Sequence, residues 1–185
     1  RGPLIALYCI QVLISGLAIG MAYVLPEYVE LRGYPEWMIN GGAHLFIIGG
    51  GALIMIPAGQ VADRVGRRRM ILTLIVLMLV TYSLFVTLPN MPLPAFIVLC
   101  MVTGGALMGV NPIGVSLAQH LAPNSESMIS GVMMGLAWTL GAFATTIVGL
   151  IVKHTSLGVP GALQCLLIAP VICLPLALSL PKRER

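Results

Sequence analysis

The sequence predicts an all-α membrane protein, a bundle of six transmembrane helices, and three observations carry that prediction. Charged residues make up 9% of the chain and hydrophobic residues 58%, whereas a soluble domain carries about 25% charged residues. The mean hydropathy is +1.01. Six apolar stretches are each long enough for the roughly 20 helical residues that a hydrocarbon core requires. This chain has too little charge to wet a water-facing surface, so it presents a lipid-facing one.

The stretches lie at about 3–25, 37–58, 70–88, 93–121, 127–152 and 159–180 within a single domain covering 1–185. The first ends where Pro26 is followed by Glu27 and Glu30. Pro35, Glu36 and Trp37 open the second with an interfacial aromatic. A turn at Pro89–Asn90–Met91–Pro92 separates the third from the fourth. Ala122, Pro123, Asn124 and Ser125 close the fourth, and Ser125 or Ser127 is placed to cap the fifth. Lys153 to Gly158 divides the last two, and Pro170 and Pro175 are expected to bend the sixth. Strands of a membrane barrel would alternate polar and apolar residues, and the run from Ile71 to Val80 does not.

Charge placement sets an orientation. Arg1, Arg64, Arg67, Arg68, Arg69, Lys182, Arg183 and Arg185 fall on one side, and only Arg32 and Lys153 on the other. Lysine and arginine favour the cytoplasmic side, so both termini are expected there. The same clustering argues against nucleic-acid binding, which would interleave aromatic residues with the arginines. Cys9, Cys100, Cys165 and Cys173 sit in apolar runs without metal-ligand spacing, so they read as buried apolar residues rather than a metal site. No phosphate-binding loop or hydrolytic constellation is present, and no enzymatic activity or cofactor is expected.

The segment between the second and third stretches reads Gly59-Gln60-Val61-Ala62-Asp63-Arg64-Val65-Gly66-Arg67-Arg68-Arg69. It resembles the signature loop of the major facilitator superfamily of transporters, G-x-x-x-D-R-x-G-R-R/K, in the position that loop occupies. Gly59 would let neighbouring helices approach closely. Asp63 would face the positive end of another helix. The resemblance implies that this partner is the fifth span near Ser127. Arg64, Arg67 and Arg68 are placed to pair with Asp63 or Glu126. In the family this loop, here Gly59, Asp63, Arg64, Gly66, Arg67 and Arg68, acts as a conformational latch. The resemblance also implies two inverted three-helix repeats, half of a major facilitator fold. Gly149 stands at the place of Gly59 in the second repeat, with Lys153 where Asp63 would be.

Further segments resemble the C-terminal half of fosmidomycin-resistance-type drug exporters: Tyr23 to Tyr28, Asn111 to Gln119, Pro123 with Ser130–Gly131, and the basic tail from Pro181. This implies a bacterial inner-membrane exporter of small molecules, proton-coupled, lacking its other six-helix half. A non-transporting membrane subunit that keeps the fold is the alternative.

The first and fourth helices face the substrate cavity in this family. Tyr8, Gln11 and Ser15 form one polar stripe at helical spacing, and Thr103 and Asn111 form another. Polar groups at membrane depth turn to the bundle interior, which makes Gln11 and Asn111 cavity candidates alongside Tyr8, Ser15 and Trp138. Asn111 has a structural role open to it too, bonding a carbonyl freed by Pro112. His44 and His120 read as hydrogen-bonded helix residues. The pairs Gly16/Gly20, Gly105/Gly109 and Gly131/Gly135 are expected to allow close helix packing.

Overall fold

The computed structural model describes residues 2–88 and 91–181. The turn expected at Pro89–Asn90, the topology charge Arg1 and the basic tail Lys182, Arg183 and Arg185 lie outside the described residues. Six helices are long and apolar enough to cross a membrane. They are α1 (Gly2–Leu31), α2 (Met38–Val65), α3 (Arg67–Thr87), α4 (Leu93–Leu121), α5 (Pro123–His154) and α6 (Gly158–Leu178). No strand occurs among the described residues.

Helix packing follows an inverted repeat. α2 packs on α4 as α5 packs on α1, and α3 packs on α4 as α6 packs on α1. α3 touches α6, and α1 touches α4. Exchanging the first three helices for the last three preserves this pattern, and an odd number of spans per unit inverts the second unit in the membrane. α1 and α4 are the buried centre, through Leu7, Ile10, Ile14 and Leu17 on one and Cys100, Leu107, Val110 and Leu117 on the other. α2 and α5 turn large apolar side chains outward, among them Ile48, Leu53 and Ile56, and Phe143, Ile147 and Leu150.

Small residues set the closest crossing. A side chain at Gly50 would collide with the backbone of Met101, and one at Gly104 with the backbone of Ile47, so α2 and α4 meet main chain to main chain. Such approach replaces the hydrophobic drive that lipid does not provide. Gly16 meets Gly141 of α5 at the equivalent crossing in the other unit. Gly131 and Gly135 have open space around them instead of a neighbouring helix. They belong to Gly131–Leu136, a π-helical stretch within α5.

Several helix ends differ from the sequence reading. α1 runs through Pro26 to Leu31. Pro26 has no N–H to give the carbonyl of Ala22 one turn earlier. The ring of His44 on α2 donates to that carbonyl instead, over 3.0 Å, and a helix whose freed carbonyl is bonded by a neighbour need not stop. α3 starts at Arg67, so Arg67, Arg68 and Arg69 form its first turn rather than a loop. α5 opens with a short 3-10 turn at Pro123–Ser125; Ser125 stands at the N-cap of the α-helical part that follows but makes no side-chain cap bond, and Ser127 lies inside the helix. α6 breaks at Leu166–Leu167, ahead of Pro170, and contains Pro175. Thr81, Ser83 and Thr87 return their hydroxyls to carbonyls within α3, which keeps polar groups satisfied at membrane depth.

Candidate functional site

The arginine-rich end is built around the turn between α2 and α3. Gly66 has φ +97° there, a conformation that side chains with a Cβ rarely adopt, so the chain reverses at that glycine. Reversal brings Arg67 one turn from Asp63, and they pair at 3.6 Å with Asp63 largely exposed. The turn places the Asp63 carboxylate beside the first turn of α3, whereas the partner the resemblance implied was the start of α5 near Ser127. Asp63 borders a cleft of about 110 Å³ shared with Gly59, Arg67, Pro112 and Ser116, so the loop faces α4. Gly59 lies in this cleft with nothing within 4 Å of a would-be Cβ. The close approach expected of it belongs to Gly50 and Gly104. Arg68 pairs with neither Asp63 nor Glu126 in the described bonds, and donates to the carbonyl of Leu178 over 2.7 Å. A cation at the negative C-terminal end of α6 is favourably placed.

At the opposite end, Arg32 stacks over the ring of Tyr28 and donates to its hydroxyl and to the carbonyls of Val86 and Leu88. Tyr28 donates to the carbonyl of Phe85 at 2.7 Å, and Tyr34 to that of Met91 at 3.0 Å. Phe85 lies 5.2 Å from Tyr28 and 5.4 Å from Phe96, with Tyr34 stacked on Phe96 at 4.3 Å. Read from sequence, Arg32 was one charge in a topology count; folded, it caps the end of α3 over an aromatic cluster.

Between the two ends, the side chains of Gln11 and Asn111 meet. Gln11 Nε2 donates to Asn111 Oδ1 at 2.6 Å, joining α1 to α4, and both residues are buried. The alternative role for Asn111 would need its NH2 group to reach the Met108 carbonyl that Pro112 leaves free, and no such bond is among the described hydrogen bonds. Asn111 also lines a cavity of about 430 Å³ with Trp138, Met55, Met108 and Met134. Ser116 and Gln119 supply its other polar groups, and none of the described residues lining it is charged.

Of the five cavity candidates, then, Asn111 and Trp138 line this cavity, and Gln11 stands behind Asn111, bonded to it but not lining the cavity. Ser15 is buried at the crossing with Gly141 and donates to the carbonyl of Gln11. Tyr8 keeps its hydroxyl buried without a partner, away from the residues lining this cavity. The methionines and Gln119 were missed from sequence. Met108, Asn111, Val115 and Gln119 repeat at spacings of three and four, one face of α4, and following that face both ways from Asn111 would have found Met108 and Gln119; Met55 and Met134 come from other helices. Gln119 Nε2 donates to Ser130 Oγ at 2.7 Å. Met134 comes from the π-helical stretch, a departure that often accompanies functional positions.

Two comparisons bear on this arrangement. The chain is 32% identical over 115 residues to the fosmidomycin resistance protein of Escherichia coli (strain K12); the match covers 62% of this chain and 27% of that relative. The chain therefore spans a minor part of that protein's length. Residues 1–146 match the family model of the Major Facilitator Superfamily. With six apolar helices in an inverted repeat and the signature loop at its turn, this chain belongs to the major facilitator superfamily.

Proposed function

We propose that this chain is one six-helix half, the C-terminal one, of a secondary transporter that moves a small molecule across a lipid bilayer by alternating access. The observation that carries this reading is the uncharged cavity beside the Gln11–Asn111 bond, lined by α2, α4 and α5 side chains in a fold of this family. A cavity placed between repeats is where transporters hold substrate. The relative named for fosmidomycin resistance supports export. The second six-helix half is the partner that would supply the opposite wall.

Proton coupling is part of the proposal, and its titrating group belongs to that second half. Glu27, Glu30, Glu36, Asp63 and Glu126 are all exposed, and proton carriers sit in bundle interiors. His44, the remaining titratable candidate at span depth, has a ring nitrogen committed to Ala22. The test is flux by the full-length protein in proteoliposomes: substrate movement driven by an imposed pH gradient supports the reading, and a substrate-independent gradient response would sink it.

Location in a bacterial inner membrane with cytoplasmic termini follows from the resemblance and the charge asymmetry. Cysteines placed at Gln60 and Arg32 should then label from opposite sides of intact cells. Labelling of Gln60 by an impermeant reagent added outside would overturn the assignment.

A further inference from the structure

Resting on the cavity as the substrate wall, we infer that Gln11 is a positioning residue that turns the Asn111 amide so that its N–H, not its carbonyl, faces the cavity. The substrate portion seated there then carries a hydrogen-bond acceptor on an apolar, planar body.

An asparagine side chain has one acceptor oxygen and one donor NH2 group. In this structure the oxygen is taken: Gln11 Nε2 donates to Asn111 Oδ1 at 2.6 Å. Asn111 also lines the cavity, so the polar group it has left for an occupant is Nδ2. The reverse arrangement would send the Gln11 NH2 toward Gly114. In the arrangement present, Gln11 Oε1 lies on that side, 3.6 Å from where a Cβ of Gly114 would stand. A carbonyl tolerates incomplete pairing in a buried site better than an N–H does. Gln11 is itself held, since Ser15 Oγ donates to its backbone carbonyl at 2.7 Å and its side chain is almost wholly buried.

The rest of the wall argues for the apolar body. Met55, Met108 and Met134 offer thioethers that pack well on aromatic faces, and Trp138 offers a ring for stacking. At the far end Gln119 has its NH2 engaged with Ser130, so it presents an oxygen. The wall therefore has a defined polarity, donor at Asn111 and acceptor two turns away at Gln119.

The test uses a matched pair of probes, 2-acetylnaphthalene and 2-ethylnaphthalene, nearly equal in shape and differing in one carbonyl. Saturable binding of radiolabelled 2-acetylnaphthalene is measured on the full-length protein in detergent, with each compound as competitor. The acetyl compound should compete roughly three- to tenfold better, the usual value of one uncharged hydrogen bond. Asn111→Leu should make the two equal. Gln11→Leu, or Gln11→Met if the leucine variant does not fold, should reduce the preference while leaving affinity for the ethyl compound unchanged, a split that loss of packing would not produce. Met134→Trp, which fills the cavity, should abolish saturable binding. Equal competition in the wild type, or a preference that survives Asn111→Leu, overturns the orientation and leaves the cavity reading standing. Absence of saturable binding by either compound, or binding that survives Met134→Trp, overturns the cavity reading and the inference with it.

Discussion

The two ends of the bundle are both closed by an arginine on helix carbonyls, yet they are held by different forces. At one end Arg32 lies over a buried cluster of Tyr28, Phe85, Phe96 and Tyr34. At the other, Arg68 reaches Leu178, and Asp63 pairs with Arg67 while largely exposed. Aromatic burial is worth several kcal/mol and cannot be undone piecemeal, whereas an exposed ion pair contributes about 0–1 kcal/mol. The aromatic end therefore behaves as a fixed joint, and the arginine-rich end as a contact that can open at little cost. A transporter that alternates needs such an inexpensive contact, since each state must stay within a few kcal/mol of the other.

A single substitution should cost most at the fixed joint. Phe85 is almost completely buried and touches the rings of Tyr28, Tyr82 and Phe96. Phe85→Ala should cost about 3–5 kcal/mol of stability, read as a lowered unfolding temperature of the purified protein. Unchanged thermal stability would mean that the aromatic cluster does not hold this end together.

A smaller effect is expected at the His44 bond to α1. His44→Ala removes the donor to the Ala22 carbonyl that Pro26 leaves free, which should cost about 1–3 kcal/mol. His44→Gln retains a donor and should recover part of the loss. If the alanine variant unfolds at the wild-type temperature, the continuation of α1 past Pro26 does not depend on His44.

These features differ in how far the sequence exposed them. Helical class and span number were legible because hydropathy averages over some twenty residues, and no single position can hide it. Gly66 was visible as part of a loop pattern, although only the fold shows its positive φ at the reversal. Pro26 misled, because proline stops a helix when its freed carbonyl lacks a partner, and the partner here lies eighteen residues on, at His44. Gly59 misled likewise: the glycines that allow main-chain contact are Gly50 and Gly104, which no spacing rule within one helix can pair. Gln11 and Asn111 were each legible as polar residues at membrane depth. Their bond joins positions a hundred residues apart, and only tertiary packing sets its direction.

We propose, as the resemblance implies, that the loop at Asp63 governs which state the bundle occupies while contributing little to its stability. Asp63→Asn keeps the shape of the side chain and removes its charge beside Arg67. Flux through the full-length protein in proteoliposomes, measured alongside the unfolding temperature of the same preparation, tests this directly. Flux should fall about fivefold or more, corresponding to about 1 kcal/mol between the two states, with the unfolding temperature unchanged. Wild-type flux from Asp63→Asn would contradict it.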